Sequence, residues 1–300
     1  MNLHGLRLFY IVAEAGSVTA AAEQLRISQP AITLQIKKFE RENNIKLFIP
    51  EGRGICLTDI GEQLFKEAKV IFNVETRIES MIDNYLNGKN RTLRIAGNYL
   101  ASNYLIPKWA AELKKRDEDI NIEINTMNTQ TAIDKLMSYE ADAAIIGSSA
   151  VKYTDKINIS RIIEDELWFV VSPDNKFAGK SVKLEEIVSE PFIMREKGSH
   201  ARVLLESICY AKGIRAPKIS LEFNGLHETL MASMYGYGVN FCSSIAAGEL
   251  VEMNRLVRVF VNDVKIKNEI YMCIRKDEEL QPIIKEFISL NNLDFYHTHH

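Results

Sequence analysis

The chain has 300 residues, 46% hydrophobic and 26% charged, with a formal net charge of −3. At about 100–200 residues per domain this predicts two or three domains and allows a sizeable core. The composition excludes a disordered chain and the charge excludes a polycation, so a nucleic-acid role has to rest on a local patch.

The N-terminal stretch MNLHGLRLFYIVAEAG has no basic start ahead of an apolar run. No segment approaches the ~18 apolar residues of a membrane span, which predicts a cytoplasmic protein without a membrane partner. Cys56, Cys209, Cys242 and Cys273 form no C-x-x-C pair and are expected as buried, reduced thiols.

Leu6, Phe9, Val12 and Ala13 recur at steps of three and four, which predicts an amphipathic helix over 3–15 stopped at Gly16. Ser17 or Thr19 caps a second helix over 19–25, whose Ala21, Ala22 and Leu25 face inward. The alanines let a third helix approach closely, as a helix-turn-helix requires. After Arg26 and Ile27, Ser28 is a natural N-cap with Pro30 in the first turn, and Ile32, Ile36 and Phe39 form the buried stripe of a helix over 29–41.

The outer face of that helix carries Gln29, Thr33, Gln35, Lys37 and Lys38. Amide and hydroxyl groups suit base edges in the major groove, and the lysines suit phosphates. The stretch Lys46–Leu57 reads as two short strands around PEGRG, with Arg53 at the tip of a wing. Residues 1–58 hold seven Lys/Arg against five Asp/Glu, about +2, so the remainder is about −5. The candidate contacts to double-stranded DNA are therefore Ser28, Gln29, Pro30, Thr33, Gln35, Lys37, Lys38 and Arg53.

From Asp59 to Asn87 there is no proline, and Leu64, Ala68, Ile71, Ile78, Ile82 and Tyr85 keep a four-three rhythm. This predicts a helix of about 43 Å with a seam for a partner, capped by Thr58 and ended at Asn87-Gly88. Beyond it, strand and helix patterns alternate: strands at 93–96, 120–125, 143–146, 167–171, 192–194, 219–223 and 239–242. The intervening helices run to Lys115, over 132–139, and near 200–212 and 227–235. Alternation predicts parallel sheets covered by helices. Crossings near 161–163 and 264–266 predict two subdomains with a ligand cleft at the strands' carboxyl ends.

Thr129, Arg195, Ser199, His200 and Arg202 fall at strand-to-helix connections. Helix N-termini and arginine forks there suit a small anion. No H-E-x-x-H, G-x-S-x-G, P-loop or strand-following G-x-G-x-x-G occurs, so no catalytic residue and no enzyme are expected. The terminal histidines His297, His299 and His300 are read as a tail, with no metal site and no cofactor. The competing reading is a small-molecule-binding protein whose N-terminal helices serve only dimerisation.

The motifs F-x-x-V-A-E-x-G-S, A-A-x-x-L, I-S-Q-P-A-I, K-L-F and L-T-x-x-G over the first sixty-five residues resemble the winged helix-turn-helix of LysR-type transcriptional regulators. Thr33 and Leu34 stand where the family usually has Ser and Arg, and Pro50 where Arg is usual. The C-terminal portion, with Leu105-Ile106-Pro107, Ala141-Asp142-Ala143, Arg195-Glu196-Lys197-Gly198-Ser199 and Tyr235-Gly236-Tyr237-Gly238-Val239, is similar to the family's effector-binding domain.

The resemblance implies a mixed α/β architecture: an α-rich winged helix-turn-helix over 1–58, a linker and dimerisation helix over 59–88, and an effector-binding domain over 89–300 of periplasmic-binding-protein type. Subdomain I is expected at about 89–161 and 266–300, subdomain II at about 162–265. It also implies a homodimer or homotetramer, a small-molecule effector, and RNA polymerase as a partner if the protein activates. It places Tyr99 and Leu100, beside Asn98, where many relatives carry effector-binding Ser or Thr, and keeps a hydroxyl at Thr129, beside Asn128. Aligned through Arg202 with the peroxide-sensing branch, Cys209 takes the second cysteine's place and His200 the first's. One cysteine cannot make that switch, so redox sensing is not expected.

Overall fold

The structure is a computed structural model describing residues 2–51, 54–87, 92–147, 155–264, 266–276, 280 and 282–290. The chain divides into two compact units, Met1–Gly88 and Lys89–His300.

In the first unit, α1 (Leu3–Ala15), α2 (Val18–Leu25) and α3 (Gln29–Asn43) precede a hairpin, β1 (Phe48–Glu51) with β2 (Gly54–Leu57), and then α4 (Asp59–Asn87). The helices end where the backbone turns left-handed, at Gly16, Arg26 and Asn44. The Ser17 hydroxyl accepts from Ala20 N–H, so α2 starts one residue before Thr19. Leu6, Phe9, Phe39, Leu47, Ala68 and Phe72 form one buried cluster, and Leu8, Val12, Ala21, Ala22, Ile32 and Ile36 a second.

Glu40, 7% exposed, joins α3 to the hairpin: its carboxylate accepts from Leu47 N–H at 2.8 Å. A Cβ at Gly61 would lie 2.4 Å from the Leu47 carbonyl oxygen, so only glycine lets α4 leave the hairpin this closely. The first half of α4 packs Leu64, Phe65, Ala68 and Phe72 into the first cluster. Further along, Ile78, Met81, Ile82, Tyr85 and Leu86 are exposed.

The second unit opens with β3 (Thr92–Asn98), a π-helical turn (Ala101–Leu105) and α5 (Ile106–Arg116). Pro107 has no N–H to continue the usual ladder, and the turn ahead of it takes the wider register. Next come β4 (Asn121–Met127), α6 (Thr129–Met137), β5 (Ala143–Gly147) and the long β6 (Ile157–Val171). The sequence places α6 over 132–139; it starts earlier because Asn128 caps it, and it ends before Tyr139, whose φ of 63° is left-handed. Then follow β7 (Ser181–Val182), α7 (Leu184–Val188), β8 (Phe192–Arg195), α8 (His200–Ala211), β9 (Ile219–Phe223) and α9 (Leu226–Met234). The unit closes with β10 (Val239–Ser243), α10 (Ser244–Glu252), β11 (Val257–Val261), β12 (Lys267–Arg275) and α11 (Pro282–Ser289).

The main sheet runs β4-β3-β5-β12-β6-β10-β8-β9, with β11 pairing β6 and β7. The expectation of parallel sheets holds only in part. The pairs β3–β4, β3–β5, β8–β9 and β8–β10 are parallel, but β12 runs antiparallel to β5 and β6, and β6 antiparallel to β10 and β11. Residues 157–166 of β6 pair with β12, and residues 167–171 pair with β10 and β11. One strand therefore serves two lobes; one apolar cluster runs from Leu93, Ile95 and Trp109 to Val170, Leu230 and Cys242, and a second gathers Leu167, Phe192, Leu205 and Val259. Among the described residues no helix is long and apolar enough to cross a membrane.

Candidate DNA-binding surface and ligand cleft

On α3, Gln29, Pro30, Thr33, Leu34 and Lys37 border a shallow surface depression. Ser28 sits at the N-cap, but its hydroxyl makes no capping bond. The Thr33 hydroxyl donates to the Gln29 carbonyl at 3.0 Å, so what Thr33 turns outward is chiefly its methyl group. Leu34 is 67% exposed and adds a second apolar group to this face. Lys37 makes no ion pair among the described residues, whereas Lys38 lies 3.8 Å from Glu42. Gln35 is half-buried. Arg53, with the turn it was expected to tip, lies outside the described residues.

In the second unit, Asn98, Tyr99, Leu100, Asn128, Thr129, Arg195, Ser199 and His200 line one cleft. Its free space is about 70 Å³. Two of the asparagines build its walls: Asn98 Oδ1 accepts from Ala101 N–H and Asn128 Oδ1 from Thr131 N–H, both at 2.9 Å. Arg195 stacks over the Tyr99 ring at 4.1 Å, and its fork is closed by both oxygens of Glu196 at 2.7 Å. The expected anion-binding fork is thus turned onto a neighbouring carboxylate.

Arg202 does not line the cleft. It is buried, donating to Glu206, to Glu222 and to the Arg195 carbonyl at 3.0, 2.6 and 3.1 Å. It holds the start of α8 in place instead of meeting a ligand. Burial pushes the His200 imidazole below its usual pKa, favouring the neutral ring. A Cβ at Gly147 would lie 3.4 Å from His200 Cγ and 3.8 Å from Asn268 Oδ1, which places both side chains beside the end of β5.

The lining also includes Glu196, Asn240 and Asn268, which the sequence reading missed. Asn240 interrupts the apolar run of β10, a signal that could have singled it out. Asn268 lies on β12, a strand that the alternation pattern did not predict. Behind it Asp165, 4% exposed, accepts from Asn268 Nδ2 at 2.8 Å, Ser243 Oγ at 2.6 Å and Ser244 Oγ at 2.5 Å.

Cys209, Cys242 and Cys273 are buried and unbridged, but Cys56 is only half-buried, because it sits on the two-stranded wing. Burial raises the thiol pKa of Cys209, with the Glu206 charge adding to it, which makes this sulfur a poor nucleophile. Among the described residues no cluster of His, Cys, Asp and Glu is placed to hold a metal ion; His297, His299 and His300 lie outside them.

Comparison with known proteins agrees with this geometry. Residues 3–62 match the family described as bacterial regulatory helix-turn-helix protein, lysR family, and residues 86–291 match the LysR substrate binding domain. The RuBisCO operon transcriptional regulator of Allochromatium vinosum is 26% identical over 290 residues, covering 96% of this chain and 94% of that protein. The fold is shared with CbnR, a full-length structure in complex with its target DNA: TM-score 0.68, 20% identity, covering 97% of this chain and 99% of that one. The regulatory domain of CcmR from Synechocystis, solved with 2-PG, has a TM-score of 0.61 and 19% identity, covering 68% of this chain and 98% of that one. With both of its units matched, this chain belongs to the LysR family and is a DNA-binding transcriptional regulator.

Proposed function

We propose that the protein binds double-stranded operator DNA as a homodimer or homotetramer, and that a small, predominantly anionic metabolite in the cleft controls operator binding or transcriptional activation. The observation that carries this reading is the presence in one chain of an uncovered α3 face, bearing Gln29, Thr33 and Lys37, and a cleft lined by buried polar atoms without partners among the described residues. On DNA, Gln29 suits an adenine edge, the Thr33 methyl and Leu34 suit thymine methyl groups, and Lys37 suits a phosphate. The exposed apolar residues of α4 supply the dimer contact.

CbnR with its target DNA and CcmR with 2-PG support DNA as the partner of the first unit and a small ligand as that of the second. Control requires the ligand to favour one arrangement of the protein over another, since equal affinity for both shifts nothing. This reading makes the protein a cytoplasmic regulator without catalytic activity or cofactor, with RNA polymerase as a partner where it activates.

The test is titration of the full chain against the DNA upstream of its own gene and against scrambled DNA of equal length. A preference of about 10³ or more is expected. Equal affinity for the two would refute operator recognition.

A further inference from the structure

Three side chains lining the cleft each bury a polar atom that has no hydrogen-bond partner among the described residues: Ser199 Oγ, Asn240 Nδ2 and Asn268 Oδ1. The residues are 7%, 2% and 4% exposed. An unmet polar atom at that depth costs about 1–3 kcal/mol, so three around one cavity point to a ligand that meets them. Ser199 stands at the N-cap position of α8, a helix of 12 residues, but its hydroxyl makes no capping bond. With Asn240 Nδ2 it gives the cleft hydrogen-bond donors.

Asn268 brings an acceptor to the same cleft, and its polarity is fixed. The Asp165 carboxylate accepts and cannot donate, so the Asn268 amide must give it Nδ2, at 2.8 Å, and turn Oδ1 elsewhere. An acceptor backed by a buried negative charge repels a second anionic oxygen. Arg195 does not offset this, because Glu196 closes its fork.

Resting on the ligand-controlled reading above, we infer that the effector is a small hydroxy- or aminocarboxylic acid: its carboxylate oxygens lie at Ser199, Asn240 and the start of α8, and an O–H or N–H group donates to Asn268. A simple anion satisfies the donors and leaves the Asn268 acceptor unmet.

Glycolate, glycine and propionate have the same heavy-atom skeleton and differ at the terminal group: hydroxyl, ammonium or methyl. Calorimetric titration of the full-length protein with each, and with inorganic phosphate, tests the assignment. Glycolate or glycine should bind about tenfold or more tightly than propionate and phosphate, and which of the two binds separates the hydroxy acid from the amino acid. Asn240→Ala should weaken the preferred probe by about tenfold.

Asp165→Asn gives a readout that a purely structural role would not move. Its new amide donates Nδ2 to Asn268 Oδ1, so Asn268 flips, puts its own Nδ2 in the cleft and removes the preference for a donor. Binding of propionate or phosphate as tight as that of glycolate and glycine overturns the inference, as does failure of all three carboxylates to bind. Neither result touches DNA recognition. A clear donor preference with no change in operator binding would instead uphold the ligand class and refute control by the cleft.

Discussion

Replacing both Ile78 and Ile82 with Gln should weaken self-association of the full chain by about two to four orders of magnitude. The two side chains are 48% and 49% exposed, one helical turn apart on α4. Fully burying an isoleucine stabilises by about 1.5–3 kcal/mol, so covering the exposed half of each gives roughly 0.8–1.5 kcal/mol. Two residues on each of two copies give about 3–6 kcal/mol, and each 1.4 kcal/mol is tenfold in the dissociation constant. Glutamine keeps the helix propensity high, so circular dichroism should show the helix content unchanged. Sedimentation equilibrium across a dilution series reads the association constant. If the double variant associates as tightly as the wild type, with helix content intact, α4 is not the dimer contact.

The α3 face makes a second set of predictions. Gln29→Ala should reduce discrimination between operator and scrambled DNA by about 1–3 kcal/mol, whereas Lys37→Ala should weaken both and reduce the salt slope by about one. Equal effects of the two on both DNAs, in anisotropy titrations, would undo these roles. Glu40→Ala removes the acceptor of the buried Leu47 N–H and should cost about 1–3 kcal/mol in urea denaturation, while Glu40→Gln keeps the acceptor and should cost less. The reverse order would contradict that account. For His200, burial lowers the folded pKa below the ordinary value of 6.5. The unfolded chain then takes up the proton first on acidification, so this contribution is full above about pH 6.5 and is lost as pH falls through the folded value. His200→Gln should flatten the decline in melting temperature on the acid side of neutrality; an unchanged slope would remove His200 from the account.

The helix-turn-helix was legible because its information is local. The stripes of Leu6, Phe9 and Val12 and of Ile32, Ile36 and Phe39 are buried as their spacing requires. The second unit was less so. Asn268 and Asp165 are 103 residues apart in the chain, and no local spacing announces their pairing. The antiparallel return of β12 was missed for the same reason, and with it the acceptor in the cleft. The two arginines stand differently: Arg195 lines the cleft and Arg202 does not, and each has an anionic partner close by. Glu196 adjoins Arg195, and Glu206 stands one helical turn from Arg202, both visible in the sequence. A charge next to its own counter-ion is a poor candidate for a ligand, and weighing those neighbours would have moved attention to Asn240.

The most direct test of the account is footprinting of the full-length protein on the DNA upstream of its own gene, through a salt series, with and without glycolate and glycine. The account predicts a protected region that weakens with salt and shortens or shifts when the ligand is added. Absence of protection at every salt concentration would contradict it.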